Sequence, residues 1–129
     1  MIIGIKIVLP KDERLKTSRE FSTIYNLKRS VANPLLILYV GRKKADPSIP
    51  TKVGFVVGKK VHKRAVKRNR AKRLMRETYR NIRKTDEFLL KNYEFLIFLA
   101  RVPILEADYN QVHAGVIDCF KKAAKRFNL

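Results

Sequence analysis

Residues 59 to 84 concentrate more like charge in one segment than a folded surface normally carries. The segment reads KKVHKRAVKRNRAKRLMRETYRNIRK: lysine and arginine fill 13 of its positions, and Glu77 is the only acid. On a helix over 65–84, at about 100° per residue, one side collects the uncharged residues Ala71, Leu74, Met75, Thr78, Tyr79 and Ile82. The segment can therefore fold because its charges are sorted, with one stripe for the core and another facing outwards.

The outward stripe predicts a nucleic-acid-binding face. It consists of residues at helical spacing, namely Lys72, Arg76, Arg80 and Arg83, with Asn69 and Arg73 alongside. Like charges four residues apart weaken a helix, and the net charge of +19 over 129 residues opposes compaction unless a polyanion binds. Guanidinium groups match phosphate geometry. A membrane-surface helix is the alternative, but its apolar stripe would have to face lipid rather than the core.

The identity of the nucleic acid is left open by charge alone. A helix that carries arginines also suits the DNA major groove, but the chain has no helix-turn-helix spacing, zinc-ligand set or heptad repeat. Phe21, Tyr25 and Tyr39 offer surfaces on which unpaired bases of RNA can stack. The alternative interpretation makes these three rings ordinary core residues.

The rest of the chain predicts a single α+β domain, an α/β sandwich with the order α-β-β-α-β-α around a small sheet. Thr17 and Glu20 form a capping-box pattern for the first helix, and Asp108 can cap the last one. The short loop between the first two strands predicts an antiparallel hairpin. The predicted elements are a helix over 17–26, a strand from 34, a strand over 52–58, the basic helix, a strand over 94–101 and a final helix from 108.

Several further expectations concern the ends of the chain and its chemistry. Residues 1–13 are predicted to be a loosely attached extension, and 14–129 the domain. The single cysteine, Cys119, excludes an internal disulfide and fits a reducing cytoplasm. No apolar run reaches the roughly 20 residues of a membrane span. His62 and His113 have no evident partners and the acids do not cluster, so we expect neither catalytic residues nor a metal site in the polypeptide.

The stretch RAVKRNRAKRLMRETYR resembles the protein subunit of bacterial ribonuclease P. That family carries the signature R-x-x-x-R-N-R-x-K-R-x-x-R-E, which is met here by Arg64, Arg68, Asn69, Arg70, Lys72, Arg73, Arg76 and Glu77. The flanking stretches RLKTSREFSTIY, SVANPLLILYV and VGFVVGKK resemble the first helix of the family, its first strand and the strand that leads into the signature. The resemblance covers nearly everything from Arg14 to Phe127.

The resemblance implies a function. Ribonuclease P is an endoribonuclease that removes the 5′ leader from precursor tRNA, and its catalyst is a large RNA with bound Mg²⁺. The protein subunit binds that RNA and the leader, and no obligate protein partner is expected. A structural RNA-binding protein of the ribosomal type, with no role in cleavage, is the alternative. The family fold also implies a parallel β-α-β crossover of unusual left-handed sense.

The resemblance also assigns residues to two surfaces. The first would bind the catalytic RNA and comprises Arg64, Arg68, Asn69, Arg70, Lys72, Arg73 and Arg76, with Arg80 on the same helix. The second would bind the leader and comprises Phe21, Tyr25, Ile37, Tyr39, Lys59 and Lys60. Ile37 and Tyr39 are two positions apart on a strand, so they point to the same face of the sheet.

Overall fold

The computed structural model describes residues 9 to 127, except for the side chain of Asp12. Its helices and strands follow the predicted order, with one additional short strand and two 3-10 turns. The 3-10 turns are Lys11–Glu13 and Val102–Glu106. The remaining elements are α1 (Ser18–Asn26), β1 (Ser30–Ala32), β2 (Leu36–Val40), β3 (Lys52–Val56), α2 (Ala65–Ile82), β4 (Phe95–Ala100) and α3 (Tyr109–Arg126).

The predicted caps of α1 and α3 are confirmed. The Thr17 hydroxyl accepts from the Glu20 N–H at 3.1 Å, and the Glu20 carboxylate accepts from the Thr17 N–H at 3.0 Å. Asp108 and Gln111 exchange the same pair of bonds at 2.8 and 2.9 Å. Each box satisfies two N–H groups that a helix terminus would otherwise leave unpaired. The first turns of both helices are therefore fixed by their local sequence.

The sheet has the strand order β1-β2-β4-β3, so the predicted hairpin between β2 and β3 is wrong. β4 lies between them, antiparallel to β2 and parallel to β3. Three consecutive residues of β4, Leu96, Ile97 and Phe98, are completely buried. A strand that is apolar on both faces gains most from the centre of the sheet, and the loop from 41 to 51 carries the chain past it. The parallel β3-α2-β4 crossover is confirmed, and its left-handed sense stays a prediction.

Helices cover both faces of the sheet. Leu36, Leu38 and Val40 alternate along β2 and enter the main core with the buried faces of α2 and α3. α1 packs on the opposite face, where Ile24 meets Ile97. The predicted core stripe of α2 is confirmed, and α3 buries a stripe of its own. In α2 the buried residues are Ala71, Met75, Thr78, Tyr79 and Ile82, with Leu74 partly buried; in α3 they include Val112, Val116, Cys119, Phe120 and Ala123, with Phe127 partly buried.

Residues 9–13 pack more closely than their sequence indicates. Leu9 is only 2% exposed and belongs to the main core. Glu13 forms an ion pair with Arg83 near the end of α2. The N–H of Leu15 donates to the Val53 carbonyl on β3 at 3.1 Å. Residues 9–13, which the sequence assigned to a loose extension over 1–13, therefore pack against the domain, and residues 1–8 lie outside the described part of the chain.

Hydrogen bonds of the Asn33 side-chain amide connect the turn between β1 and β2 to α3. The Asn33 side chain donates to the Gly115 carbonyl at 2.9 Å and to an Asp118 carboxylate oxygen at 3.1 Å. Its own oxygen accepts from the N–H groups of Leu35 and Leu36 at 3.0 and 3.2 Å. With a further bond from the same amide to the Cys119 sulfur at 3.4 Å, five hydrogen bonds meet on one partly buried side chain, which fixes where β2 begins relative to α3.

We expect Asn33→Ala to lower the free energy of unfolding by about 1–3 kcal/mol, because buried backbone groups lose their partners. The matched control is Asn110→Ala at an exposed position in the first turn of α3, which should change stability by no more than about 0.5 kcal/mol. Urea denaturation of both variants checks this. Equal unfolding midpoints for Asn33→Ala and the unmodified chain would contradict it.

Candidate nucleic-acid interface

The basic face of α2 is present, and it carries most of the predicted residues. Asn69, Lys72, Arg73, Arg76 and Arg80 share one side of the helix, adjacent to the buried stripe. Arg70 lies about 100° further round the helix than Asn69, on the side of Glu77. The structure therefore separates Arg70 from the other basic residues. Arg64, Asn69, Arg70 and Arg73 are exposed, and Arg68, Lys72, Arg76 and Arg80 are partly buried.

Arg68 has a structural role that the sequence pattern does not reveal. Its guanidinium donates to the carbonyls of His62 and Lys63 at 3.0 and 2.7 Å. No side chain caps the N-terminus of α2, and the loop before it is closed by these bonds together with one from the Arg64 N–H to the His62 ring at 3.0 Å. Arg68 therefore positions the start of the basic helix in addition to presenting charge.

Arg76 lies against the neighbouring edge strand rather than pointing freely into solvent. Its guanidinium carbon is 5.8 Å from the centre of the Phe55 ring on β3. Burial, followed by the nearby charges of Arg73 and Arg14, lowers the pKa of Arg76. The basic face of α2 thus extends to the β3 edge, where Arg14 joins it.

A second surface lies on the sheet face that α1 covers only in part. Strand pairing aligns Ala32, Ile37, Leu99 and Val56 in one row across all four strands, and none of the four is fully buried. The preceding row, which contains the buried residues Ile97 and Gly54, lies under α1. The sheet therefore presents an apolar row, hereafter the open row, beside the first helix.

The predicted aromatic residues come together at the border between α1 and the open row. Tyr25 and Tyr39 meet edge to face with ring centres 4.8 Å apart, and the centres of Phe21 and Tyr25 are 6.5 Å apart. Burial, and secondarily the neighbouring Tyr39, raises the pKa of Tyr25. All three rings are partly buried, so they pack α1 onto the sheet and also present an edge to solvent.

Ile37, Lys59 and Lys60 complete the predicted set. Ile37 belongs to the open row, and both lysines are exposed in the loop that follows β3. Sequence reasoning missed Ala32, Val56 and Leu99, the other members of the row. The period-two alternation of each strand was a usable signal, but the row becomes visible only when the pairing register is known.

Other basic side chains of the chain serve the fold. Arg126 and Lys122 of α3 donate to the carbonyls of Ser30 and Ala32 at 2.7 and 2.9 Å, and Arg101 donates to the Asn33 carbonyl at 3.3 Å. These carbonyls belong to β1 and the residue after it, at one edge of the sheet. Positive side chains on a sheet edge prevent pairing with other chains, so this part of the net charge is committed to structure.

Within residues 9–127, no three His, Cys, Asp or Glu side chains converge on a point that could hold a metal ion. The pKa of the buried Cys119 thiol is raised to about 12, chiefly by burial, so it stays protonated at neutral pH. None of the helices in this described part is long and apolar enough to cross a membrane. What the geometry does supply is one strongly cationic surface beside one apolar and aromatic surface.

Fold and surfaces together define a small α+β RNA-binding protein. The sequence model of the family described as Ribonuclease P matches residues 9–124. The chain is 42% identical over 118 residues to the ribonuclease P protein component of Clostridium perfringens strain SM101, which covers 88% of this chain and 90% of that protein. The component from Clostridium botulinum strain Langeland is 35% identical over 114 residues, covering 88% and 96%.

Solved structures agree. The RNase P protein of Staphylococcus aureus superposes with a TM-score of 0.70 at 29% identity, covering 88% of this chain and 96% of that one. The RNase P protein of Thermotoga maritima shares the fold, with a TM-score of 0.70 at 23% identity, covering 85% and 96%. The chain therefore belongs to the ribonuclease P protein family. Its function is that of the protein component of this endoribonuclease, which matures tRNA 5′ ends and whose catalyst is the RNA subunit.

The Phe21 ring, and with it α1, can pack closely on β3 because Gly54 has no side chain. A Cβ atom at Gly54 would lie 2.5 and 2.6 Å from two carbons of the Phe21 ring. We expect Gly54→Ala to displace that ring and to lower the free energy of unfolding by about 1–3 kcal/mol. Thermal and urea unfolding measure the change.

Gly58→Ala is the matched control, because the nearest atom to its added Cβ is 4.0 Å away. It should leave stability unchanged or raise it by at most about 1 kcal/mol. If the two alanine variants unfold alike, Phe21 does not depend on Gly54 in the way that the structure indicates.

Proposed function

We propose that the protein clamps precursor tRNA onto the catalytic RNA, with the basic face of α2 on that RNA and the open row with its neighbouring aromatic rings on the 5′ leader. The observation that carries the proposal is the pairing of two chemically different surfaces on one domain. One surface suits phosphate groups, and the other suits unpaired bases. A general RNA-binding protein needs only the first of them.

The assignment of the catalytic RNA to α2 is supported by the one-signed charge of that face. Arg73 is exposed and has no hydrogen-bond or ion-pair partner among residues 9–127. Charges that repel one another along a helix are stabilised by a polyanion. Arginine forks also bind phosphate oxygens in pairs, which suits the folded RNA of a ribonucleoprotein.

The assignment of the leader to the open row is supported by its size and chemistry. Four strands about 4.8 Å apart make the row about 14 Å wide, enough for several unpaired nucleotides. Tyr25 and Tyr39 border the row, and aromatic rings accept bases of any sequence. Lys59 and Lys60 follow the β3 end of the row and can neutralise leader phosphates. Such a surface recognises single strands rather than a duplex.

Mg²⁺ is the metal that this chemistry requires, and we place it mainly on the RNA subunit. Mg²⁺ is held in proteins by one or two carboxylates together with phosphates and water, and the described residues bring no carboxylate cluster to either surface. The positive surfaces of the protein lower the concentration of Mg²⁺ needed, because they neutralise part of the RNA charge. With these partners the protein works in the cytoplasm.

Reconstitution tests the proposal as a whole. The protein, a bacterial ribonuclease P RNA and a labelled precursor tRNA are mixed at low Mg²⁺, and leader release is followed. We expect release only when both RNA and protein are present. Release by the protein without RNA would reveal an active site in the polypeptide. RNA binding without stimulation at any Mg²⁺ concentration would instead favour a structural RNA-binding protein of the ribosomal type.

Arg73→Ala tests the α2 surface more cleanly than a change at Arg68, which also closes the loop before the helix. We expect weaker binding of the RNA subunit and a salt dependence flattened by about 0.7–0.9 per lost phosphate contact. Binding titrations at several salt concentrations measure this. Arg42→Ala is the control, an exposed arginine in the loop after β2. If the salt dependence of binding flattens equally in both variants, binding responds to the overall charge of the protein and not to the α2 surface in particular.

Ile37→Asp tests the open row, since it places a negative, strongly hydrated group on the apolar surface where leader bases should pack. Affinity of the assembled holoenzyme for leader-bearing precursor should fall roughly tenfold, the equivalent of about 1.4 kcal/mol, while affinity for mature tRNA stays the same. Ile49→Asp is the control, because Ile49 is 54% exposed in the loop between β2 and β3. Equal losses for precursor and mature tRNA would remove the leader from this surface.

A further inference from the structure

The loop between β3 and α2 connects the two surfaces of the protein. It begins at the β3 end of the open row, carries Lys59 and Lys60, and ends at Arg64, the N-cap residue of α2. Val61 in its middle packs against the main core, and the Val61 N–H donates to the Gly58 carbonyl at 3.0 Å. The conformation of this loop therefore decides where the two lysines lie relative to the basic face of α2.

His62 holds the second half of this loop. Its ring nitrogen Nδ1 accepts a hydrogen bond from the Arg64 N–H at 3.0 Å, and its carbonyl accepts one from the Arg68 guanidinium, also at 3.0 Å. The Arg64 side chain, which occupies the N-cap position of α2, makes no capping bond. His62 has no evident partner in the sequence, yet it takes part in two of the bonds that close the loop.

The bond to the Arg64 N–H requires a neutral ring. Nδ1 can accept only when it carries no proton, so the proton of the neutral ring lies on Nε2. A second proton turns Nδ1 into a donor, which would face the N–H of Arg64 with no acceptor between them. The bond is therefore lost when His62 becomes charged, and imidazole is the side chain that ordinarily changes its charge between about pH 5 and about pH 8.

The charged groups around His62 are all of one sign. In its own loop and in the first turn of α2 they are Lys59, Lys60, Lys63, Arg64, Lys67 and Arg68. Among residues 9–127, no carboxylate forms an ion pair with the ring. A charged His62 would add one more cation to a loop of like charges, so nothing in this part of the chain would replace the lost bond.

We propose that His62 is a positioning residue for leader binding: its neutral ring holds the loop in the conformation from which Lys59 and Lys60 reach the leader phosphates. This inference rests on the function proposed above. His62 acts through the loop rather than by contact with RNA. When the bond is lost, the apparent affinity for the leader falls with the fraction of molecules whose loop stays closed. Binding of the RNA subunit depends on side chains within α2 and changes little.

Two substitutions separate the hydrogen bond from the charge of the ring. His62→Asn keeps an acceptor, because an asparagine oxygen bonds the N–H two residues further on, and it is uncharged at every pH. His62→Ala has no acceptor. The measured quantity is the leader preference of the assembled holoenzyme, defined as its affinity for leader-bearing precursor divided by that for mature tRNA. At about pH 8, His62→Asn should keep this preference. In His62→Ala it should fall about twofold to tenfold, the equivalent of one hydrogen bond.

The pH profile is a readout that a merely structural loop residue would not move. From about pH 8 to about pH 5, the leader preference of the unmodified protein should fall to the level of His62→Ala, whereas that of His62→Asn should stay constant. His113→Asn is the matched control, because it removes the other histidine, which lies on α3. It should keep the pH dependence of the unmodified protein. Effects of pH that are common to both RNAs cancel in the ratio of affinities.

Full leader preference in His62→Ala, or a pH dependence that survives in His62→Asn, overturns the inference. So does a leader preference that rises as the pH falls, since the charged ring would then bind phosphate itself. If His62→Ala does not fold, the pH profiles of the unmodified protein and His62→Asn decide alone.

Ile37→Asp separates this inference from the proposed function. If Ile37→Asp lowers the leader preference and His62→Ala does not, only the role of His62 is wrong. If neither variant changes the leader preference, the leader does not lie on this surface, and both proposals are wrong.

Discussion

The packing of α2 against the sheet is the interaction on which the rest of the structure depends. Met75, Tyr79 and Ile82 are almost completely buried, and this apolar stripe holds a helix whose charged residues are all positive except Glu77. Without that burial the repulsion among its arginines would favour an open chain. The same stripe fixes the rotation of the helix, so it also decides which basic side chains face outwards and which, like Arg76, reach the β3 edge.

The alternation of side chains along the strands gives the two faces of the sheet different roles. Leu36, Leu38 and Val40 commit one face of β2 to the core, and the same geometry commits Ile37 and Tyr39 to the other face. α1 is only nine residues long, too short to cover that second face completely. An apolar surface is therefore left open beside it, and its border with α1 is made by aromatic rings. The shortness of one helix thus creates the second binding surface.

The sequence predicted those features that are encoded locally and missed those that depend on long-range pairing. The two capping boxes, the stripe of α2 and the alternation of β2 each follow from neighbours within a few residues, and all are confirmed. β1 was missed because three residues are too few to show a period. The hairpin was predicted wrongly because loop length says nothing about a third strand, and β4 is the more apolar partner for both. The open row required Leu99 and Val56 from distant parts of the chain.

The excess positive charge therefore has more than one role in the molecule. Lys122 and Arg126 satisfy carbonyls at the β1 edge, and Arg68 closes the loop before α2, so these cations stabilise the chain on their own. Arg73 and Arg14 do not have such partners among the described residues, and their charge is unfavourable until an anion arrives. Cations that are satisfied inside the chain do not depend on RNA, whereas those left unpaired are stabilised when a polyanion binds. Binding and folding are thereby coupled through the same few side chains.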